Sequence, residues 1–329
     1  MKKLFLMLAA AAAVASCSKD YTIVADNGEA IAFNSFVENS TRAAVDPSFG
    51  QNGQTLTKFQ VWGSVTGGNG LVSIFAGDDV EGQVGYTDGG NTQPYIWHCD
   101  VKQYWIKDAT YNFAALVNAT NDLTMVDYLP TKVNDFTADG ETDLLYADAK
   151  GITGKASGNG PVNFTFNHLL SKVKFTVVNN SKEAEEYSFK VNNIVIKGKN
   201  QGDVTLASKT WDTTDSSAYE YQVAEIVVDK DTDNAGEECA KELLLIPGDF
   251  AITFNVDIYN GTTKLGSQSY PIDGDAYNKT LEVGNAYNFV ITVAVGEEIT
   301  FSVTEQPEWG NGNTVDTDED DVNDSVVLQ

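Results

Sequence analysis

Ala251-Ile252-Thr253-Phe254-Asn255-Val256-Asp257-Ile258-Tyr259-Asn260-Gly261 is the stretch that decides the fold. Ile252, Phe254, Val256 and Ile258 occupy every second position, with Thr253, Asn255, Asp257 and Tyr259 between them. A period of two belongs to a strand with one face on a core and the other in water. Asn260-Gly261 then supplies a hairpin turn signal. The same period recurs in both directions. Toward the N-terminus it appears in Tyr187/Phe189/Val191, Val173/Phe175/Val177 and Val162/Phe164/Phe166. Toward the C-terminus it appears in Tyr287/Phe289/Ile291/Val293/Val295 and Ile299/Phe301/Val303. Shorter strands are marked in the first half by Phe59/Val61, Tyr111/Phe113 and Leu144/Tyr146.

Between these runs lie turn clusters such as Thr66-Gly67-Gly68-Asn69-Gly70 and Asp88-Gly89-Gly90-Asn91. They offer positive φ and local side-chain hydrogen bonds. No long stretch has helical periodicity, and no short-period repeat points to a solenoid or propeller. The expectation is an all-β chain of antiparallel sandwiches, each sheet with one wet face. A boundary near His168-Leu169-Leu170-Ser171 leaves two halves of ordinary domain size, 46–168 and 169–309. The tail 310–329 is acidic and poor in apolar residues, and is expected to be disordered or loosely attached.

At the other end, Lys2 and Lys3 precede the apolar run Leu4 to Val14, and Val14-Ala15-Ser16-Cys17 follows. A basic start, a short apolar run and a small-residue cleavage site read as a secretory signal, residues 1–16. The run is too short for a permanent membrane helix. A Cys directly after small residues resembles the lipobox of a bacterial lipoprotein, which implies cleavage before Cys17 and acylation of Cys17. Several acyl chains on one residue give stable anchoring. Lys19-Asp20 is a charged start that suits an exported, surface-facing lipoprotein.

The chain has 329 residues and a formal net charge of −26. Removal of Lys2 and Lys3 with the signal takes away two positive charges and no acid, so the mature charge is −28. Such a surface repels phosphate backbones, which argues against nucleic acid as a partner. It repels anionic lipid too, so any membrane attachment rests on the lipid. Cys99 and Cys239 remain after Cys17. They could form one disulfide in an oxidising envelope or serve as small buried apolar side chains.

The residues that would carry chemistry are sparse. His98-Cys99-Asp100 places three ligand types in a row, but adjacent strand residues point to opposite faces and no second ligand group stands near. His168 falls at the domain junction, where a satisfied polar contact is its simplest role. No nucleophile elbow, phosphate loop or His-Glu-x-x-His occurs, and neither an enzyme nor a cofactor is expected. Carboxylate pairs for hydrolysis depend on spacing in three dimensions. Asp316, Asp318 and Asp320 alternate as in a calcium loop, but the sixth position is Asp321 and the twelfth Val327, which favours a solvated acidic tail. Asp229, Asp231 and Asp233 are a weaker echo of the same pattern. Tyr95, Trp97, Tyr104 and Trp105 are candidate glycan contacts through ring stacking, with core packing as the competing role.

Several segments together resemble the fimbrillin family, subunits of surface pili assembled from lipoprotein precursors. The closest is Phe164-Thr165-Phe166-Asn167-His168-Leu169-Leu170-Ser171-Lys172-Val173-Lys174-Phe175, similar to the stretch where the family's first domain passes to its second. Phe59-Gln60-Val61-Trp62-Gly63, Tyr111-Asn112-Phe113-Ala114-Ala115, Asp143-Leu144-Leu145-Tyr146-Ala147, Leu244-Leu245-Ile246-Pro247 and Gly284-Asn285-Ala286-Tyr287-Asn288-Phe289 follow in family order. The resemblance implies two tandem transthyretin-like sandwiches and a place in outer-membrane fimbriae. The implied partners are other fimbrial subunits in a head-to-tail polymer, the outer membrane through the lipid, and surface receptors or glycans. It also implies a cut by an Arg-specific protease, for which the matching position is Arg42, before Ala43.

The segment 17–45 would then be a lipidated leader containing an exchangeable strand, Ala30-Ile31-Ala32-Phe33-Asn34-Ser35, with Ile31 and Phe33 on one side. If these two fill a groove in the first sandwich, a cut at Arg42 lets the strand leave and exposes apolar surface and unpaired main chain. A strand from another subunit can take its place. Head-to-tail contacts of this kind do not close, so a fibre grows. In the family's stalk subunits the donor is a C-terminal strand. Here only Ser325-Val326-Val327-Leu328-Gln329 has strand character after Trp309, which keeps an anchor or tip role open. The competing reading is a monomeric surface lipoprotein that binds glycans through its aromatics.

Overall fold

The computed structural model describes residues 30–37, 48–49, 54–68, 70–83, 87–88, 91–92, 96–119, 122–155, 158–181, 187–214, 218–228, 236–239, 242–273, 280–294, 299–306 and 325–328. Every regular element among them is a strand. In chain order these are β1 Phe33–Val37, β2 Ser48–Phe49, β3 Gln54–Thr55, β4 Lys58–Gly67, β5 Gly70–Gln83, β6 Thr87–Asp88, β7 Asn91–Thr92, β8 Ile96–Cys99, β9 Thr110–Val117, β10 Leu123–Val126, β11 Leu129–Thr137, β12 Leu145–Thr153 and β13 Val162–His168. They continue as β14 Ser171–Asn179, β15 Tyr187–Lys199, β16 Gln201–Thr205, β17 Thr210–Asp212, β18 Ala218–Val223, β19 Ile226–Val228, β20 Glu237–Glu238, β21 Leu243–Leu245, β22 Ala251–Asn260, β23 Thr263–Asp273, β24 Ala286–Val293, β25 Ile299–Gln306 and β26 Ser325–Leu328. The all-β architecture expected from the alternation is the one observed.

The second half is a sandwich. One sheet runs β20-β14-β24-β25-β26, with β21 also on β14; the other runs β18-β15-β22-β23, with β19 also on β15. Their inner faces are the alternating residues of the sequence: Val173, Phe175 and Val177 meet Phe189, Val191, Ile252, Phe254, Val256, Phe289, Ile291 and Phe301 in one core. The alternation in β15 slips from Phe189/Val191 to Ile194/Ile196 because the register with β22 shifts between Asn192 and Val195. Asn193 sits there at a φ of 49°, a conformation Asn tolerates better than most side chains. β22 and β23 form the expected hairpin, with Asn260 opposite Thr263 and Gly261 at a φ of 55°.

The first half is a seven-stranded sheet, β1-β13-β12-β9-β4-β5-β8. It curls until the chain entering β1 meets the chain leaving β8. Ala30 bridges Tyr104, and the Ile31 N–H donates to the Gln103 carbonyl at 2.8 Å. Inside the curl lies a core of Phe33, Phe59, Phe75, Phe113, Phe164 and Phe166 with their aliphatic neighbours. The outer face is buried as well, since Trp62, Ala114, Leu116 and Tyr146 pack under a second sheet, β10-β11-β16-β17. Tyr111 to Val117 therefore has almost no polar alternation: both faces of β9 are covered.

That second sheet joins the two halves of the chain. β10 and β11 precede His168, whereas β16 and β17 follow it, and β11 pairs with β16 through Lys132↔Thr205 and Val133↔Val204. Val204 and Leu206 are fully buried beside Val133, Phe136, Leu169 and Leu170. Trp211 Nε1 donates to the Leu169 carbonyl at 2.7 Å. Lys132 forms an ion pair with Asp203, whose other oxygen accepts the Asp135 N–H at 2.8 Å. The hydrogen bond from Lys132 and then the one from Asp135 hold the Asp203 carboxyl below its ordinary value. What this contact adds to stability is therefore present above that ordinary value and fades as acid protonates the carboxylate. The boundary near residue 168 is thus a boundary in chain order, while the sheets on either side share strands.

Among the described residues two pairings are parallel: β1 with β13, and β14 with β24. At the C-terminus, β26 pairs antiparallel with β25, Phe301 opposite Val326 and Ile299 opposite Leu328. The end of the tail therefore joins the second sandwich instead of standing apart, since β25 offers a free edge to its main chain. Cys99 and Cys239 are unbridged thiols packed against different cores, so the small-apolar reading applies to both. Because Leu206 follows the boundary yet fills a core with first-half residues, Leu206→Ala should cost about 2–5 kcal/mol. Chemical denaturation followed by probes in each half should show both midpoints falling together.

Candidate functional site

Ile31 and Phe33 are 6% and 3% exposed. Phe33 stands among four rings. It stacks on Phe164 at 5.7 Å and meets Phe75 at 5.3 Å, Phe113 at 6.0 Å and Phe59 at 6.5 Å edge-on. Burying such a side chain stabilises by about 1.5–3 kcal/mol, before the geometry of the ring pairs is counted. The cage is rigid on one side: a Cβ at Gly63 would come within 2.9 Å of both Phe113 and Phe75. Those rings lie against bare backbone, which is why Gly stands in Phe59-Gln60-Val61-Trp62-Gly63.

The main chain of this segment is held from two directions. On one side β1 runs parallel to β13, Phe33 opposite Val162, and the Val162 N–H donates to the Ala32 carbonyl at 2.7 Å. On the other side are the contacts to Gln103 and Tyr104. The sheet is closed by this one segment, and residues 38–47 beyond it lie outside the described residues.

The remaining predicted site residues separate into three groups. Cys17, Arg42, Ala43, Tyr95, Asp316, Asp318 and Asp320 lie outside the described residues. Trp97 and Tyr104 are half-buried; the Trp97 ring packs on Phe59 at 4.9 Å, and the Tyr104 carbonyl accepts the Tyr111 hydroxyl at 3.1 Å. Trp105 requires a correction. It is 6% exposed and lies edge-on to Tyr111 at 4.7 Å and Phe113 at 6.1 Å, so its faces are not available to a sugar. The segment that carries it meets the strand at Ala30 and Ile31, and Trp105 is part of the first core.

His98 Nε2 lies 3.0 Å from Asp100 Oδ1 on the surface, and no cluster of three His, Cys, Asp or Glu suited to a metal occurs among the described residues. His168 Nδ1 lies 2.6 Å from Asp143 Oδ2, and both side chains are buried. The pair ties the end of β13 to the loop before β12, where the Leu169 N–H also donates to the Leu144 carbonyl at 2.9 Å. This is the satisfied polar contact expected of His168. The cage residues Phe75, Phe113 and Phe164 carry no signal in sequence beyond strand alternation, since nothing local says which distant strand faces Phe33.

Residues 41–307 match the sequence profile of a family described as fimbrillin-like. The chain belongs to the fimbrillin-like family. No curated protein matches it. Among solved structures, a fimbrial protein from Bacteroides vulgatus is similar with a TM-score of 0.56 at 15% identity, over 84% of this chain and 99% of that one. A protein assigned to cell adhesion from Bacteroides ovatus has a TM-score of 0.49 at 14% identity, over 85% of this chain and 96% of that one. The first likeness shows a shared fold. The fimbrillin-like match begins at residue 41, just after β1.

Phe33→Ala empties the ring cage, and the expected loss is about 3–5 kcal/mol from the edge of the first sandwich. Hydrogen exchange is the direct check: the Val162 amide, bonded to Ala32, should lose protection ahead of amides in β9 and β4.

Proposed function

We propose that this fimbrillin-like chain is a structural and adhesive subunit of surface fimbriae. It is exported as a lipoprotein anchored in the outer membrane through Cys17 and made competent for assembly by a cut after Arg42 that frees β1. One observation carries this reading. Arg42 is the only arginine in the sequence, and all other members of the 21 Lys and Arg are lysines. It lies between β1 and the rest of the chain, at the start of the fimbrillin-like match. A guanidinium and an ammonium are different recognition targets, so a protease that reads arginine meets one position here.

The geometry supports a consequence for that cut. Before it, β1 is tied covalently to the sandwich it completes. After it, β1 is held by main-chain bonds to β13, by the contacts at Gln103 and Tyr104, and by Ile31 and Phe33. Its departure leaves two strand edges and an apolar slot facing each other, which together accept an extended strand. The second half has a counterpart that cannot leave: β14 is parallel to β24 as β1 is to β13, but only Leu169 and Leu170 separate it from β13. Growth by strand insertion is head to tail and open-ended. The reading requires other fimbrial subunits as partners and no catalysis.

The test is digestion of the lipid-free chain, residues 18–329, with an Arg-specific protease, followed by mass spectrometry, light scattering and microscopy. The expected result is one cut, after Arg42, with growth in particle size, and an Arg42→Lys variant that stays intact and monomeric. A complete cut with β1 still bound and no growth, alone or with other fimbrial subunits, rejects strand exchange.

A further inference from the structure

We propose that the tip of the β10–β11 hairpin, formed by Met125, Val126, Asp127 and Tyr128, is a docking knob for a protein surface that carries an apolar pocket rimmed by lysine or arginine. The hairpin belongs to the sheet that covers the outside of the curl, and none of these residues lines the β1 slot. Among the described residues seven large apolar side chains stand exposed, and three of them fall within these four positions: Met125 at 41%, Val126 at 54% and Tyr128 at 49%. Single exposed apolar groups are ordinary, whereas a contiguous group on one projection marks an interaction site. Asp127 and Tyr128 are the whole loop between the strands, with Val126 opposite Leu129. Their φ values are 51° and 66°. A two-residue loop with both φ positive calls for Asn-Gly or Asp-Gly, and a bulky side chain there is a genuine outlier. The β22–β23 turn meets the same demand with Gly261. Here a tyrosine occupies the glycine position with half of its surface in water. Such outliers persist where they serve a contact.

The base of the hairpin is stiff. Leu129 and Val133 are buried in the third core, with Leu123 packed against it. The Asn134 N–H and its side-chain amide both donate to the Asp122 carbonyl, at 2.9 and 3.1 Å, and the Thr131 hydroxyl donates to the Thr124 carbonyl at 3.0 Å. A knob held in one shape loses little freedom on binding. Charge decides its occupant. Asp122 and Asp127 are exposed at the knob. Lys132 is the only basic residue between Lys107 and Lys150, and it is ion-paired with Asp203, with Asp135 and Asp212 close enough to act on it. An apolar tip with an anionic collar complements a pocket with a cationic rim, where a guanidinium or ammonium can stand over the Tyr128 ring and beside Asp127. A second copy of this chain, at a net charge of −26, is repelled. A neutral sugar needs several polar groups around the ring it stacks on, and this tip offers Met125 and Val126 instead. Tyr and Met are side chains that protein interfaces favour.

The experiment uses the uncut lipid-free chain, residues 18–329, and two variants that leave its charge unchanged: Tyr128→Gly, and Met125→Thr combined with Val126→Thr. Random peptides displayed on phage are selected on the wild-type chain at physiological ionic strength, then synthesised, labelled and titrated by fluorescence anisotropy; a glycan array is read in parallel. Tyr128→Gly suits the turn, so its midpoint of chemical denaturation should be no lower than that of the wild type. The selected peptides should combine Lys or Arg with aliphatic or aromatic residues, and should bind each variant more weakly by about tenfold or more. Binding to both variants within about threefold of the wild type places the site elsewhere and overturns the proposal. Selection of no peptide, or of peptides without basic residues, overturns the stated chemistry of the partner. Binding to neutral glycans that is lost in Tyr128→Gly, with no peptide binding, replaces the protein partner by a sugar. A lowered midpoint for Tyr128→Gly would show that Tyr128 holds the fold, and would overturn its assignment to docking.

Discussion

The packing of Phe33 into a ring of four phenylalanines is the contact on which the first sandwich depends. It fixes a five-residue strand along β13 and, through Ile31 and Ala30, joins the two ends of a curled sheet. The sheet would otherwise have edges at β13 and just beyond β8, facing one another across an apolar gap. A closed sheet has no edge to offer a neighbour, and an opened one has two. A single segment therefore separates a self-contained molecule from one with a strand-shaped vacancy.

The contrast between the halves gives this arrangement its direction. Both sandwiches are built on a parallel pair, β1 with β13 and β14 with β24. In the second half the first strand follows directly from the preceding strand and is locked there. In the first half the equivalent strand is joined through a stretch that holds the chain's one arginine. The rest of the molecule is tied together against such a change. β16 and β17 cross into the sheet that covers the first half, Trp211 caps the Leu169 carbonyl, and the buried His168–Asp143 pair fixes the turn between the halves. In the proposed exchange the loss of β1 opens one sheet only, while the shared third core ties the two halves together.

The acidic charge is compatible with the proposed assembly, in which contacts between subunits are made by main chain and apolar side chains. A net charge of −26 keeps copies apart at long range. In the proposed exchange an inserted strand gains hydrogen bonds and burial at short range, where that repulsion matters less than the fit of the slot. Two of the aromatics that looked suited to sugars in sequence, Trp97 and Trp105, instead pack in this first core. Trp105 and Trp97 pack around the strand's surroundings, and their size serves closure.

How much was legible in the sequence follows from where each signal resides. Alternation is local, so Ile252/Phe254/Val256/Ile258 and Tyr287/Phe289/Ile291 announced their strands and their inner faces without any partner being known. The same local evidence marked Ile31 and Phe33 as one face of a strand. Strands covered on both faces, such as Tyr111–Val117, lose that alternation and were legible only in outline. Pairing is not local. That β1 lies parallel to β13, that β16 crosses to β11, that β26 lies on β25, and that Trp105 is enclosed all depend on contacts between residues far apart in the chain. Local residue patterns are enough to specify an all-β chain, its inward-facing residues and a single arginine at position 42. That the segment before that arginine closes a sheet emerges only in three dimensions, because closure is a property of which edges meet, and no single stretch of residues encodes both edges.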